Sequence, residues 1–195
     1  ARSALVVQAG LSEVGAGLRV LEVGCGTGRW ARSFLGTAGG VARYAAVEAS
    51  GTMAAIAAQE LSHLGGSAVV RADAREPGVL GRVSQSFLGG SPDRILMCYV
   101  LDLLDEGDTD ALLQECAELA RSVRGKLGVC GISPGGPLMS AWAGLAQAAP
   151  GVVGGCRPLD LAERLRAAGW RVEAREEHCV LGYASQVVLA SPPDA

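Results

Sequence analysis

The residues whose type and spacing point most clearly to ligand binding are three glycines in the stretch LEVGCGTG, Leu21 to Gly28. Gly24, Gly26 and Gly28 follow a short apolar run that is interrupted by Glu22. Glycine permits positive φ and lets a ligand approach the backbone closely. A helix that begins at these residues would also offer free N–H groups to an anionic group. The spacing therefore predicts a ligand-binding loop at the end of a buried strand.

The spacing of the glycines distinguishes between kinds of nucleotide-binding loop. The dinucleotide fingerprint is G-x-G-x-x-G, whereas this chain has G-x-G-x-G, with Arg29 in the place of the third dinucleotide glycine. No G-K-[ST] follows, which excludes the phosphate-binding loop of nucleoside triphosphatases. A tight turn that holds no ligand remains an alternative at this point.

Two carboxylates follow the next two apolar runs. Glu48 in VEAS ends the second run, about twenty residues past the glycines, where a carboxylate can accept both ribose hydroxyls of a nucleoside. Asp73 in ADA ends the third run. Because the carboxyl ends of parallel strands meet at one edge of a sheet, we expect these residues to lie near the glycines.

The elements that must position these residues alternate between apolar runs and helix-length segments, a pattern typical of a parallel sheet. The last two strands are separated by a short turn, which predicts an antiparallel pair. We therefore predict one α/β domain over residues 1–195, with a doubly wound, mostly parallel seven-stranded sheet, a C-terminal antiparallel hairpin and helices on both faces. The predicted strands are 18–23, 42–47, 68–72, 95–100, 127–132, 170–176 and 184–190. The predicted helices are 4–14, 29–35, 51–64, 108–123 (starting at Asp108 or Thr109), 138–148 and a last helix that starts at Pro158. A loop-rich stretch is predicted at 75–92.

Four stretches together resemble the motifs of the class I S-adenosylmethionine (SAM)-dependent methyltransferases. They are LEVGCGTG, VEAS, ADA and SPDRILMCYVLDLL, the last of which resembles the family's motif IV with Asp93 before the strand. The resemblance covers essentially the whole chain and includes the seven-strand layout with its final hairpin. It implies SAM as cofactor and transfer of the SAM methyl group to an acceptor.

The resemblance also implies a role for each matching residue. The glycines and Glu22 would line the methionine part of SAM, Glu48 would hold the ribose, and Asp73 would bond the adenine amino group. Met53 has an alternative place in a helix core, and Cys25 and Cys98 have one as small buried hydrophobes. The full expected cofactor set is Glu22, Gly24, Cys25, Gly26, Gly28, Glu48, Ala49, Met53, Asp73, Ala74 and Cys98.

Such a site needs few catalytic groups, because a sulfonium methyl is already activated. It mainly needs an aligned nucleophile and a pocket that excludes water. Tyr99 at the exit of the fourth strand and Asp102 just after it are the expected catalytic residues. Asp102 is expected to position the acceptor or remove its proton, with a solvated acidic loop as the alternative. The nearby acidic residues lack the spacing of a calcium loop, so we expect no metal.

The expected acceptor follows from an uncharged stretch, residues 127–156. Prolines and glycines interrupt it, so it does not supply the roughly 20 apolar residues of a membrane span. In the family that the chain resembles, this region forms part of the substrate cover. Segment 133–157 with Trp142 then implies an apolar small molecule or a lipid, while Arg157 could hold a carboxylate or phosphate. A helix that only packs on the sheet is the alternative.

Composition limits the remaining function classes. The net charge of -3 argues against electrostatic binding of nucleic acid, and CYVL stands where methyltransferases of DNA bases or glutamine carry an NPPY-type sequence. The six cysteines form no CxxC pair, which predicts reduced thiols and an intracellular, cytoplasmic protein. The chain begins at Ala1 rather than Met, which predicts a processed form or a fragment and leaves organelle import open.

Three functions compete on the sequence alone. The first is a methyltransferase acting on a small-molecule or lipid acceptor. The second is a SAM-binding protein of the same fold that is catalytically weak or inactive and serves as a partner subunit. The third is a nucleotide-dependent oxidoreductase, which the glycine spacing and the terminal hairpin disfavour.

Overall fold

The computed structural model of the chain describes residues 1–11, 17–36, 41–134, 157–180 and 183–194. These residues form a sheet of seven strands with helices around it. The strands are β1 (Leu18–Val23), β2 (Val41–Glu48), β3 (Ser67–Arg71), β4 (Arg94–Cys98), β5 (Lys126–Ile132), β6 (Arg171–Val180) and β7 (Tyr183–Ser191). The helices are α1 (Arg2–Gln8), α2 (Arg29–Leu35), α3 (Gly51–Leu61), α4 (Val79–Val83), α5 (Glu106–Arg121) and α6 (Leu161–Ala167).

The strands lie in the order β3-β2-β1-β4-β5-β7-β6. Strands β1 to β5 pair in parallel, and β7 runs antiparallel to both β5 and β6. This confirms the predicted fold class, including the terminal antiparallel pair. The order reverses direction between β1 and β4, and such a switch point opens a crevice at the carboxyl edge of the sheet.

Alternate residues of each strand contribute to two separate cores, one on each face of the sheet. Leu21 and Val23 of β1 pack with α4, α5 and α6, while Val20 packs on the other face with α1, α2 and α3. The β4 residues 95–98 are buried throughout, since both of its faces are covered. The carboxyl ends of the central strands are thereby held together at one edge of the sheet.

Segment 75–92 contains helix, which corrects the prediction of a loop-rich stretch. Helix α4 continues into a single π-helical turn, Ser84–Leu88. The carboxylate of Glu115 on α5 stabilises the start of α4, because it accepts hydrogen bonds from the N–H groups of Gly78, Leu80 and Gly81 at 3.0 to 3.2 Å. The acceptor for these N–H groups therefore comes from a helix more than thirty residues away in the chain.

Replacement of Glu115 by Ala is expected to lower the free energy of unfolding by about 1 to 3 kcal/mol, because three helix-start N–H groups lose their acceptor. Urea denaturation measures the change. Glu118→Ala is the matched control on the same helix, since among the described residues Glu118 accepts from the side chain of Gln114 and from no N–H group of α4. Equal destabilisation by both substitutions would contradict a capping role for Glu115.

Other helix ends differ from the prediction by a few residues. Helix α5 begins at Glu106 because the Asp105 side chain accepts from the N–H of Asp108. Helix α6 begins at Leu161, after the cap Asp160, rather than at Pro158. Helix α1 spans Arg2–Gln8, shorter than the predicted 4–14, and the predicted helix 138–148 lies outside the described residues.

Candidate functional site

A cavity of about 660 Å³ opens at the carboxyl edge of the sheet, where β1, β2 and β4 end. Its volume falls within the usual range of a small-molecule site. Eleven residues expected from the sequence line it, namely Glu22, Gly24, Cys25, Gly26, Glu48, Ala49, Met53, Asp73, Ala74, Cys98 and Tyr99. The fold thus brings together residues that lie as far apart in the chain as Glu22 and Tyr99.

The glycine loop between β1 and α2 forms one wall of the cavity. Gly24 has φ +71°, and a Cβ atom there would lie 2.5 Å from Cγ2 of Val100. Gly26 has φ +58°, and a Cβ atom there would meet no atom within 4 Å. Gly24 is therefore required by packing, whereas Gly26 leaves open space at the cavity wall.

Gly28 has a different role from the cofactor contact expected of it, because it does not line the cavity. It adopts φ +73° at the start of α2, and a Cβ atom there would lie 3.0 Å from both Cα and Cβ of Ala57 on α3. Its lack of a side chain allows α2 and α3 to pack closely. The third glycine of the loop thus serves the fold.

Glu48 ties the glycine loop to the turn after β2. The N–H of Gly26 donates to its Oε2 at 2.9 Å, and the N–H of Ser50 donates to its Oε1 at 2.9 Å. The side chain is buried to 8% exposure. An ionised carboxylate offers about four acceptor positions, so Glu48 can hold the loop and still accept hydroxyl groups from a ligand.

Glu22 and Tyr44 form a buried pair beneath the loop. The Tyr44 hydroxyl donates to Oε2 of Glu22 at 2.5 Å, and each residue is only 1% exposed. Burial raises the pKa of the Glu22 carboxyl to about 7, although the Tyr44 hydrogen bond opposes the shift. Burial also raises the pKa of Tyr44 well above its usual value, so Tyr44 remains the proton donor.

Asp73 is held by Arg75 at the far end of the cavity. The Arg75 guanidinium bonds both carboxylate oxygens, at 2.6 to 3.1 Å, and its backbone N–H donates to Oδ1 at 3.0 Å. These hydrogen bonds lower the pKa of Asp73. Arg75 therefore keeps Asp73 ionised and fixes its orientation at the cavity wall.

At the end of β4, Tyr99 has a strained backbone. Its φ is +59°, which is uncommon for a residue other than glycine and is typical of functional sites. Its N–H donates to the carbonyl of Cys130 at 2.7 Å, and the guanidinium of Arg2 lies 5.3 Å from its ring centroid. Helix α1 thereby places a cation in the cavity, beside Tyr99 and Cys98.

Asp102 does not line the cavity, although a residue that positions the acceptor would be expected to do so. It is 1% exposed, and neither carboxylate oxygen has a hydrogen-bond partner in the described part of the chain. Burial raises the pKa of its carboxyl to about 6. The solvated acidic loop considered for it is therefore wrong.

Of the two residues expected at the substrate, only Arg157 is described, and Trp142 lies outside the described residues. The backbone N–H of Arg157 donates to the carbonyl of Asp102 at 3.0 Å, and its Nη2 donates to that of Leu104 at 2.6 Å. Arg157, the last residue of the expected substrate cover, is thus hydrogen-bonded to the loop that follows β4. Leu104, but not Arg157, lines the cavity.

Several cavity residues were not expected from the sequence. Arg75 could have been found, because an arginine two residues after an aspartate can close a local ion pair with it. Arg2 could not, because its position depends on how α1 packs across the sheet. The unexpected lining residues include Arg2, Thr27, Arg29, Trp30, Arg75, Leu103 and Leu104.

Neither a metal site nor a membrane span is found in the part of the chain that the structure describes. Its His, Cys, Asp and Glu side chains form no group of three or more that could hold a metal ion. None of its helices has the length and apolar character that a membrane span requires.

Comparison with known proteins was made for both sequence and fold. A family model described as a methyltransferase domain matches residues 20–122. No curated protein matches the sequence significantly. The matched residues run from β1 through α5 and include the glycine loop, Glu48, Asp73 and Tyr99.

Several solved structures share the fold at low sequence identity. The N-methyltransferase NodS from Bradyrhizobium japonicum WM9 is 13% identical, with a TM-score of 0.71 over 99% of this chain and 94% of that one. The magnesium protoporphyrin IX methyltransferase ChlM from Synechocystis PCC 6803, with bound SAH, is 19% identical, with a TM-score of 0.68 over 98% and 80%. The [4+2]-cyclase SpnF is 18% identical, with a TM-score of 0.70 over 100% and 82%.

Proposed function

This chain belongs to the methyltransferase domain family that its residues 20–122 match, and we propose that it moves the methyl group of SAM to a small-molecule or lipid acceptor. The expected family, the class I SAM-dependent methyltransferases, is confirmed by that match together with the fold. SAM is the cofactor that this family uses. The identity of the acceptor and the role of each site residue belong to the proposal.

One observation carries the proposal more than any other. The glycine loop lines the cavity and is anchored by Glu48, whose carboxylate accepts hydrogen bonds from the N–H groups of Gly26 and Ser50. This places an open backbone wall next to a buried carboxylate at the switch point of the sheet. We assign the loop to the methionine part of SAM, Glu48 to the ribose, and Asp73 with Ala49, Met53 and Ala74 to the adenine.

Methyl transfer then requires an acceptor in line with the sulfonium, on the side of Cys98 and Tyr99. Tyr99 lies at the cavity wall, where its strained backbone is held by the hydrogen bond to Cys130. The residues of this site bind and orient SAM and the acceptor and exclude water, because the methyl group is already activated by the positive charge on sulfur. A base is needed only when the acceptor must lose a proton.

An apolar acceptor suits the surface near Tyr99. Val100, Leu103 and Leu104 line the cavity there, and Leu103 is 54% exposed. An exposed leucine at a cavity wall favours a ligand with apolar surface. Trp142 and segment 133–157 remain the expected cover of this acceptor.

The test of the function is incubation of the chain with SAM labelled in its methyl group and a panel of candidate acceptors, starting with apolar phenols, amines and lipids. The proposal expects label in an acceptor together with stoichiometric S-adenosylhomocysteine (SAH), measured by mass spectrometry. Binding of SAM with no transfer to any acceptor class would favour a catalytically weak or inactive partner subunit instead.

Asp102 supplies a second, residue-level test. The proposed role of Asp102 requires the loop after β4 to open when the acceptor binds, because Asp102 is 1% exposed and does not line the cavity. Its carboxyl has no hydrogen-bond partner among the described residues, and a donor on the acceptor would then relieve that energetic cost. We therefore expect Asp102→Asn to lower kcat by about 100-fold or more with a proton-bearing acceptor, and to leave the Kd of SAM unchanged. In the parent protein, kcat should fall as pH drops through about 6, because protonation removes the base.

The control for Asp102 is Asp110→Asn, which removes an exposed carboxylate that pairs with Arg164. It should leave both kcat and the SAM affinity unchanged. An Asp102→Asn variant with normal kcat and the same pH profile would remove Asp102 from the mechanism.

The fold by itself does not exclude a function other than methyl transfer. SpnF, a structure of the same fold, is described as a [4+2]-cyclase. A shared fold therefore does not decide the reaction. The labelling experiment separates the two functions, because only methyl transfer consumes SAM and releases SAH.

A further inference from the structure

The Tyr44–Glu22 pair takes no part in the methyl transfer proposed above, yet Glu22 lines the cavity that would hold the cofactor. Tyr44 comes from β2 and Glu22 from β1, and both lie on the face covered by α1, α2 and α3. The ring of Tyr44 packs edge-on against Phe34 of α2, which fixes its hydroxyl on the carboxylate. Replacing a buried pair of this kind by apolar residues is often neutral or stabilising, so the fold alone does not account for it.

The titratable and charged groups that act on Glu22 come from α1, β2, the glycine loop and the end of β4. Arg2 of α1 lowers the pKa of Glu22, whereas Glu48 at the end of β2 raises it. Cys25 in the glycine loop and Cys98 at the end of β4 also lie close enough to interact electrostatically with Glu22. Both thiols have raised pKa values, so neither ionises before the carboxyl does. Of Glu22, Cys25 and Cys98, Glu22 is thus the group that gains or loses a proton near neutral pH.

The cofactor and its product differ by one positive charge. The ammonium and carboxylate of the methionine part are common to SAM and SAH, but only SAM carries a sulfonium. A nearby positive charge favours the ionised form of a carboxyl. The ammonium does so in both complexes, whereas the sulfonium does so only with SAM. Glu22 can therefore sense which of the two ligands is bound.

We propose that the Tyr44–Glu22 pair is a proton switch that distinguishes SAM from SAH: Glu22 gives up its proton to solvent when SAM binds and takes one back once the sulfur has become neutral. The inference rests on the proposed function. Glu22 is a specificity-determining residue here, and Tyr44 is a positioning residue that acts through it.

The proton balance of one cycle is complete. Binding of SAM releases one proton from Glu22 to solvent. Transfer breaks the bond between sulfur and the methyl carbon and leaves that electron pair on sulfur, while the acceptor forms its new bond with its own electron pair and loses its own proton. Glu22 then takes up one proton as SAH replaces SAM, and the product complex is left with an uncharged carboxyl.

The sign of the pH dependence follows. Free Glu22 is largely protonated below pH 7, so SAM binding there includes the cost of removing the proton. The Kd of SAM is expected to rise by up to about tenfold per pH unit as pH falls below 7. The Kd of SAH is expected to rise less steeply over the same range, because SAH brings the ammonium but no sulfonium.

The experiment is calorimetric titration of the full chain with SAM and with SAH between about pH 6 and about pH 8, in two buffers of different ionisation enthalpy. The buffer difference counts the protons released. The expected result is release of close to one proton on SAM binding at the acid end and a clearly smaller release with SAH. Equal pH dependence for the two ligands would overturn the inference alone, whereas binding of neither at any pH would overturn the proposed function as well.

Two variants assign the proton to this pair. Glu22→Gln keeps the shape and is expected to remove both the proton release and the pH dependence of the SAM Kd. Tyr44→Phe keeps the ring but removes the donor that lowers the pKa of Glu22, so the midpoint of the SAM pH dependence should move to higher pH. The Cys130 thiol also has a pKa of about 7, lowered first by its hydrogen bond from Cys98, and Cys130→Ser serves as the control. Loss of the pH dependence in Cys130→Ser but not in Glu22→Gln would overturn the assignment.

Discussion

Replacing Gly26 by Ala is expected to weaken SAM and SAH binding by about 100-fold while the protein stays folded. The new Cβ atom would meet no protein atom within 4 Å, so it occupies space at the cavity wall that we assign to the cofactor. The φ of +58° adds about 1 to 2 kcal/mol of backbone strain. Calorimetric titration measures the affinity, and circular dichroism with thermal unfolding measures the fold.

Gly17 offers a matched control for this substitution. It has φ +63°, meets nothing within 4 Å and does not line the cavity. Gly17→Ala should therefore have a similar cost in stability and no cost in affinity. If both variants bound SAM like the parent chain, the space beside Gly26 would not be the cofactor site.

Gly24→Ala tests the other side of the same loop. A Cβ atom there would overlap Val100, at 2.5 Å from its Cγ2, and φ is +71°. This variant is expected to lose about 2 to 4 kcal/mol of unfolding free energy, in contrast to Gly26→Ala. A stable Gly24→Ala protein would show that the loop has room that the structure does not give it.

Replacing Glu48 by Ala has the second large expected effect, a loss of SAM and SAH affinity of about 100-fold or more. Two consequences combine in this variant. The Gly26 and Ser50 N–H groups lose their common acceptor, and the ribose hydroxyls lose the carboxylate that we assign to them. Calorimetric titration at the pH of tightest SAM binding measures the affinity.

The control for Glu48 is Glu60→Ala on the nearby helix α3. Glu60 pairs with Arg32 on the surface and does not line the cavity. Its removal should leave cofactor affinity unchanged. An effect of Glu60→Ala as large as that of Glu48→Ala would point to net charge rather than to the anchored carboxylate.

The sheet was predictable because its signals are local. Buried parallel strands appear as short apolar runs, and the runs at 18–23 and 127–132 match β1 and β5 to within one residue. The carboxylates Glu48 and Asp73 end such runs, so their place at one edge of the sheet follows from the topology. Residues that line the cavity from these strand ends were therefore predicted from the sequence.

Contacts between distant parts of the chain were not predictable. The glycines and prolines of 75–92 predict a loop, whereas the start of helix α4 is stabilised by Glu115 of α5, far away in the chain. Gly28 fits the motif by spacing, but its contact with Ala57 arises from the packing of α2 on α3. The Tyr44–Glu22 hydrogen bond likewise depends on the register between β1 and β2.

Calorimetric titration of the full chain with SAH, with NADH as control, tests the central claim most directly. The account predicts micromolar binding of SAH, no binding of NADH, and loss of SAH binding in the Gly26→Ala variant but not in Gly17→Ala. Absence of SAH binding by the parent chain, or equal binding of NADH, would contradict the assignment of the cavity to SAM.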